Sequence, residues 1–252
     1  MATSTRETTP FSIHRVPMTR PFIWLDKGWD DLLHHRGASL AYGWLVSALG
    51  ALILAYERHP FFIAFTISVF LLVGPIMTAG LCELSRRQSV GEKADFSTSL
   101  RALRGHKRNL MHFANALLIG AVVWFIVSSA IAYGATGSIA PSLESTVGGD
   151  VLRQVSTPQL ISYIISGGLL ACIVFAVSVV AVPMIVDNNV DAKTAMQTSI
   201  KVALRDLPAM LVWGALIAVL VAVGFATYLL GMVVIFPLLG HATWHAYKDL
   251  VH

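Results

Sequence analysis

The run YLLGMVVIFPLLGHATWHAYKDL, Tyr228 to Leu250, is apolar, membrane-length and interrupted by a proline. It carries His241 and His245 one helical turn apart, with Trp244 and Tyr247 beside them. Two earlier runs echo it, around Pro75 and around Pro183, so the chain reads as three copies of one pattern. Working outward from these runs, roughly six segments have the length and apolarity needed to cross a bilayer, 39–56, 61–82, 109–133, 160–186, 208–227 and 229–247. With 56% hydrophobic and 13% charged residues in 252, the chain has too little polar surface for a water-soluble globule. No period-two alternation marks a β-barrel. The expected fold is all-α and polytopic, six transmembrane helices arranged as three helical hairpins.

Lysine and arginine orient these spans. Placing the N-terminus, 83–108, 187–207 and the C-terminus in the cytoplasm puts 16 of the 18 basic residues there and leaves Arg58 and Arg153 outside. This asymmetry also accounts for the basic balance without a nucleic-acid partner. Residues 1–20 lack an apolar core and read as a flexible cytoplasmic tail rather than a signal peptide. Residues 21–250 read as a single membrane domain.

Each hairpin is preceded by a segment mixing charge with apolar residues, as a helix lying in the headgroup layer requires. The first runs from Pro21 to His34, the second follows Asp95 and the third spans Ala192 to Asp206. Asp95 and Asp191 are placed to cap the second and third. Thr98-Ser-Leu-Arg-Ala matches Thr198-Ser-Ile-Lys-Val one hundred residues on. The repeat units fall at about 21–88, 92–188 and 189–250, and copies of equal topology imply a pseudo-threefold axis near the membrane normal. Small residues mark close helix contacts: Gly43, Ser47 and Gly50 in the first span, and Gly167, Gly168, Ala171 and Ala176 in the fourth. Cys82 and Cys172 sit at different depths and are expected to pack rather than pair.

Several of these runs resemble a known family. Gly28-Trp29-Asp30-Asp31-Leu32, Ser39-Leu40-Ala41-Tyr42-Gly43, Gly74-Pro75 with Glu83, Pro183-Met184 with Asp187 and Asp191, and the closing Gly240-His241-Ala242-Thr243-Trp244-His245-Ala246-Tyr247 resemble the bacterial integral membrane proteins grouped as domain of unknown function 2189. The resemblance spans about 22–250 and implies a proteobacterial inner-membrane location. It supplies no activity, substrate or catalytic residue.

The chemistry in reach is sparse. Counting eight residues past each proline gives Glu83, Asp191 and His245, about 12 Å of helix beyond each kink. Counting four gives Ala79, Asp187 and His241. Under the pseudo-symmetry, His241, His245 and Glu83 would form a polar cluster at the cytoplasmic end, a candidate metal or haem site, with Asp187 and Asp191 nearby. The competing readings are ordinary ones. His245 and Tyr247 suit an interfacial anchor, Asp191 a cap, and Glu83 an ion pair with Arg86 or Arg87 on its own helix. Pro75, Pro183 and Pro237 mark either packing kinks or hinges. No catalytic motif is present, and no cofactor is expected. The function favoured by the residues is a non-enzymatic membrane component in a scaffold, assembly or homeostasis role. A small transporter or channel, and a metal- or haem-binding protein, stand as alternatives. The expected partners are the lipid bilayer and a membrane protein or second copy.

Overall fold

A computed structural model describes residues 11–55, 60–136 and 157–251. The outer turn near 57–60 and the loop 134–159, with residues 1–10 of the tail, lie largely or wholly outside the described residues. The described chain is all-helical and contains no strand beyond one isolated bridge, Ile13 with Val251. The helices are α1 (Arg20–His34), α2 (Arg36–Ala55), α3 (Pro60–Ser89), α4 (Phe96–Ala102) with a following 3-10 turn (Leu103–His106), α5 (Lys107–Thr136), α6 (Thr157–Ser178), α7 (Ala181–Asn188), α8 (Ala192–Arg205), α9 (Leu207–Ala226) and α10 (Met232–Leu250). Helices cover all six apolar segments. Two stretches among the described residues, Gly168–Asn188 and Leu207–Ala226, are long and apolar enough to cross a membrane.

The prolines act differently. Pro75 and Pro237 sit inside the continuous helices α3 and α10. Pro183 coincides with a break, because α6 ends at Ser178 and α7 starts at Ala181. A proline ring crowds the carbonyl four residues back and offers it no N–H, and here that carbonyl belongs to Val179. Ser199 of α8 stitches the break. Its hydroxyl donates to the Ala176 carbonyl at 2.7 Å and accepts from the Val180 N–H at 3.4 Å.

The helices pack in a cyclic order. Helices α1 and α2 lie on α10, α4 and α5 lie on α3, and α8 lies on α6 and α7. Met210 and Trp213 of α9 share a core with Val179 and Val180 at the break. Each short amphipathic helix thus packs on the proline-bearing helix before it in the chain, and the first packs on the last. The proline-bearing helices also meet, α3 touching both α7 and α10, and α7 touching α10.

The small residues of α2 make its contact with α10. A Cβ on Gly43 would collide with the Val233 carbonyl, one on Gly50 would meet Leu229, and the Ser47 hydroxyl donates to the Leu229 carbonyl at 3.0 Å. Gly28 of α1 lies as close to Ala242. The fourth span differs from expectation, since Gly168 is exposed with nothing near its Cβ position. That glycine faces away from the bundle, where small size makes no contact. Both cysteines are free, Cys82 buried and Cys172 exposed.

Asp95 and Asp191 cap α4 and α8, accepting the N–H of Thr98 at 2.7 Å and of Thr194 at 3.0 Å. Ser99 and Ser199 of the matched pentapeptides are both fully buried. They stand at different distances from their caps, Ser99 in the first turn of α4 and Ser199 mid-way along α8. A four-residue offset is about one helical turn, which keeps both on the same face. In the N-terminal segment 1–20, the His14 N–H donates to the Leu250 carbonyl at 3.0 Å and the Val16 N–H to Asp206 Oδ2 at 2.8 Å.

Candidate functional site

Asp31 is a buried carboxylate that receives hydrogen bonds from two other helices, α3 and α10. On α1 the residues Trp24, Gly28, Asp31 and Leu32 are buried while Phe22, Trp29 and Leu33 are exposed, so helical spacing points the aspartate inward with the apolar stripe. Its Oδ2 accepts the Ser85 hydroxyl at 2.5 Å and His245 Nε2–H at 2.9 Å. Ser85 lies 2.8 Å from His241 Nδ1, and Ser39 lies 2.8 Å from His241 Nε2. Because the Ser85 proton goes to the carboxylate, Ser85 can only accept from His241. A neutral His241 therefore carries its proton on Nδ1 and takes the Ser39 hydroxyl proton at Nε2. Ser39, Ser85, His241 and His245 then point along one chain of donors toward Asp31, tying α1, α2, α3 and α10 together.

Ser39, Ser85 and His241 are at most 1% exposed and Asp31 is 6% exposed. Burial raises the Asp31 carboxyl, but the hydrogen bonds from His245 and Ser85, with the neighbouring imidazole charge, outweigh it and hold the group below the ordinary carboxylate range. Ser39 against His241 has the spacing of a hydroxyl and its base. It lacks the rest of a nucleophilic site, because Ser85 stands between the imidazole and the carboxylate and no substrate reaches a fully buried hydroxyl.

The sequence-derived candidates divide among separate partners. His241 and His245 come together through Asp31 and Ser85. Glu83 is buried and held by its own helix, accepting from Arg86 at 2.7 and 2.9 Å and from Arg87 at 2.7 Å. Asp187 accepts from Tyr247 at 2.9 Å and Lys248 at 3.2 Å, and Asp191 caps α8. The three residues counted eight past the prolines thus have three different sets of partners. Both ring nitrogens of His241 are taken by serine hydroxyls, and among the described residues no three His, Cys, Asp or Glu side chains are placed to hold a metal ion. A second anchor joins the ends of the chain, where Asp249 accepts from Arg20 at 2.6 and 3.2 Å and from Trp24 Nε1 at 2.7 Å.

Asp31, Ser39 and Ser85 were not singled out as site residues by sequence reasoning. The available signal was an aspartate at the i+7 position of the Trp24–Gly28 stripe, a charge on the face that otherwise packs.

A cavity of about 290 Å³ lies where α3, α5, α6, α9 and α10 meet, beside the break before α7. Hydroxyls from α3, α6 and α10 line it, Thr78, Ser178 and Thr243, among apolar groups such as Phe113, Trp213 and Phe236. Each hydroxyl donates to a carbonyl four residues back on its own helix.

The family model for a predicted integral membrane protein (DUF2189) matches residues 62–187, half of the chain. The chain belongs to this family. The matched part of the DUF2189 protein runs from α3 to α7 and includes Pro75, Glu83, Pro183 and Asp187, whereas Asp31, His241 and His245 lie outside it. No curated protein and no solved structure matches the chain.

Proposed function

We propose that the chain is a non-enzymatic component of a bacterial inner membrane, a six-span scaffold with both termini in the cytoplasm that holds or helps to assemble a partner membrane protein. The observation that carries this reading is the internal satisfaction of most of the buried polar groups among the described residues. Asp31, Ser39, Glu83, Ser85, Ser99, Ser199, Asp206 and His241 all find their partners within the chain, most of them on another helix. Groups committed in this way fix helix positions; among the described residues the buried side-chain atoms without a partner are His35 Nε2, Gln88 Oε1 and His106 Nδ1. The basic residues on one side support the orientation. The cyclic packing of α1, α4 and α8 on α10, α3 and α6–α7 supports three repeated units about a pseudo-threefold axis.

The cavity lined by Thr78, Ser178 and Thr243 favours transport as a second reading. Single cysteines at Thr78, Ser178 and Thr243, in a background with Cys82→Ala and Cys172→Ala, separate the two. A packed scaffold leaves all three unlabelled by a membrane-impermeant maleimide from either side. Labelling of two or more would show a water-filled path and overturn the scaffold reading.

A further inference from the structure

At the cytoplasmic end of α5, away from the Asp31 network, a hollow of about 750 Å³ opens between the 3-10 turn, the start of α5 and the end of α7. Arg104, Lys107 and Arg108 line it with Asn109 and Asn189, and no acidic residue does. Among the described residues these three cations have no hydrogen bond or ion pair to another protein group. Other basic side chains of the same surface are engaged, Arg86 and Arg87 with Glu83, and Lys248 with Asp187. The wall of the hollow is held in place, since Asn109 Nδ2 donates to the Val190 carbonyl at 3.0 Å and Asn189 occupies a left-handed helix cap. Three unneutralised cations around one concavity repel each other, and a bound anion relieves that repulsion.

The geometry points to a binding site for the phosphate of an anionic phospholipid headgroup. Arginine offers paired donors to a phosphate and lysine a point charge. Lys107 opens the helix whose apolar run begins within a few residues, so the hollow sits at headgroup level, where lipid phosphate is the most concentrated anion. Basic pockets between helices on this side of a membrane suit such lipids. Met111 gives the hollow a less polar edge toward the acyl region.

The test counts lipids retained by the purified protein, using native mass spectrometry after incubation in mixed micelles with phosphatidylglycerol or phosphatidylcholine. The variants are R104Q/K107Q/R108Q and, as a charge-matched control, K193Q/K201Q/R205Q on the exposed stripe of α8. All six side chains are exposed, and circular dichroism checks that both variants stay folded. Wild type and the α8 variant are expected to retain phosphatidylglycerol over phosphatidylcholine by more than about tenfold, and the α5 variant to lose that preference. Equal loss in both variants would mean diffuse attraction and overturn the site, as would an unchanged preference in the α5 variant. Competition with inorganic phosphate identifies the source of the anion. Displacement of the lipid by inorganic phosphate alone would assign the hollow to a soluble phosphate instead.

Discussion

Replacing Asp31 by alanine should destabilise the protein by several kcal/mol at most, through two lost hydrogen bonds. The carboxylate accepts two charge-assisted hydrogen bonds, from Ser85 and His245, and is almost fully buried. Without it the Ser85 hydroxyl, itself 1% exposed, has no acceptor, and an orphaned buried donor costs about 1–3 kcal/mol. His245 keeps 20% of its side chain exposed and can turn its N–H to water, so its loss adds only about 1 kcal/mol. The expected total is about 2–4 kcal/mol, or roughly 5–15 °C in melting temperature by the scaling of soluble domains of this size. Ser85→Ala leaves His241 Nδ1–H unpaired at a similar cost. In the double variant the orphaned hydroxyl is gone, so its loss should fall short of the sum by about 1–2 kcal/mol. Thermal unfolding of the four proteins in one detergent measures the cycle. An Asp31→Ala melting point within about 1 °C of wild type, or strict additivity, would refute Asp31 as the hub.

Gly43→Val should loosen the α2–α10 contact by about 1–3 kcal/mol, because its Cβ strikes the Val233 carbonyl, while Gly37→Ala, with open space around it, should be neutral or slightly stabilising; melting temperatures compare the two. Asp191→Ala should cost about 1 kcal/mol through loss of the α8 cap and Asp191→Asn much less, read from the same curves. Acid should destabilise the protein through Asp31 and Asp249. Burial raises the Asp249 carboxyl, but hydrogen bonds from Arg20 and Trp24 outweigh it and depress the group, as those from His245 and Ser85 do for Asp31. Stability from a depressed carboxylate is fully present above its unfolded value of about 3.9 and is lost as pH falls through the lower folded value. A pH series of melting temperatures should therefore drop below about pH 4, and drop less steeply in Asp31→Asn.

The elements of this fold were legible in local sequence because each rests on a short-range signal. Apolar length marks the helices, Asp95 and Asp191 mark caps, and Gly43 with Ser47 and Gly50 marks the face that meets α10. Size alone does not reveal which face looks inward, and the exposed Gly168 shows this. The polar cluster was legible only in part. His241 and His245 share a helix face and so announce each other, but the acceptor of His245 is 214 residues away and no periodicity links the two. Glu83 took the nearer option, two arginines on its own helix, as the local i+3 and i+4 spacing offers.

The packing of α1 on α10 makes the chain a ring closed by its last helix. During synthesis Asp31 leaves the ribosome 210 residues ahead of His241 and 214 ahead of His245. At about 5–20 residues per second this amounts to roughly ten to forty seconds in which the aspartate and Trp24 are without their α10 partners. Folding of α10 then supplies, in one event, the seat for α1, the acceptor for Arg20 and the His245 imidazole for Asp31. A nascent chain stalled before Pro237 would present an unseated aromatic helix, and α10 would serve as the latch that seats it.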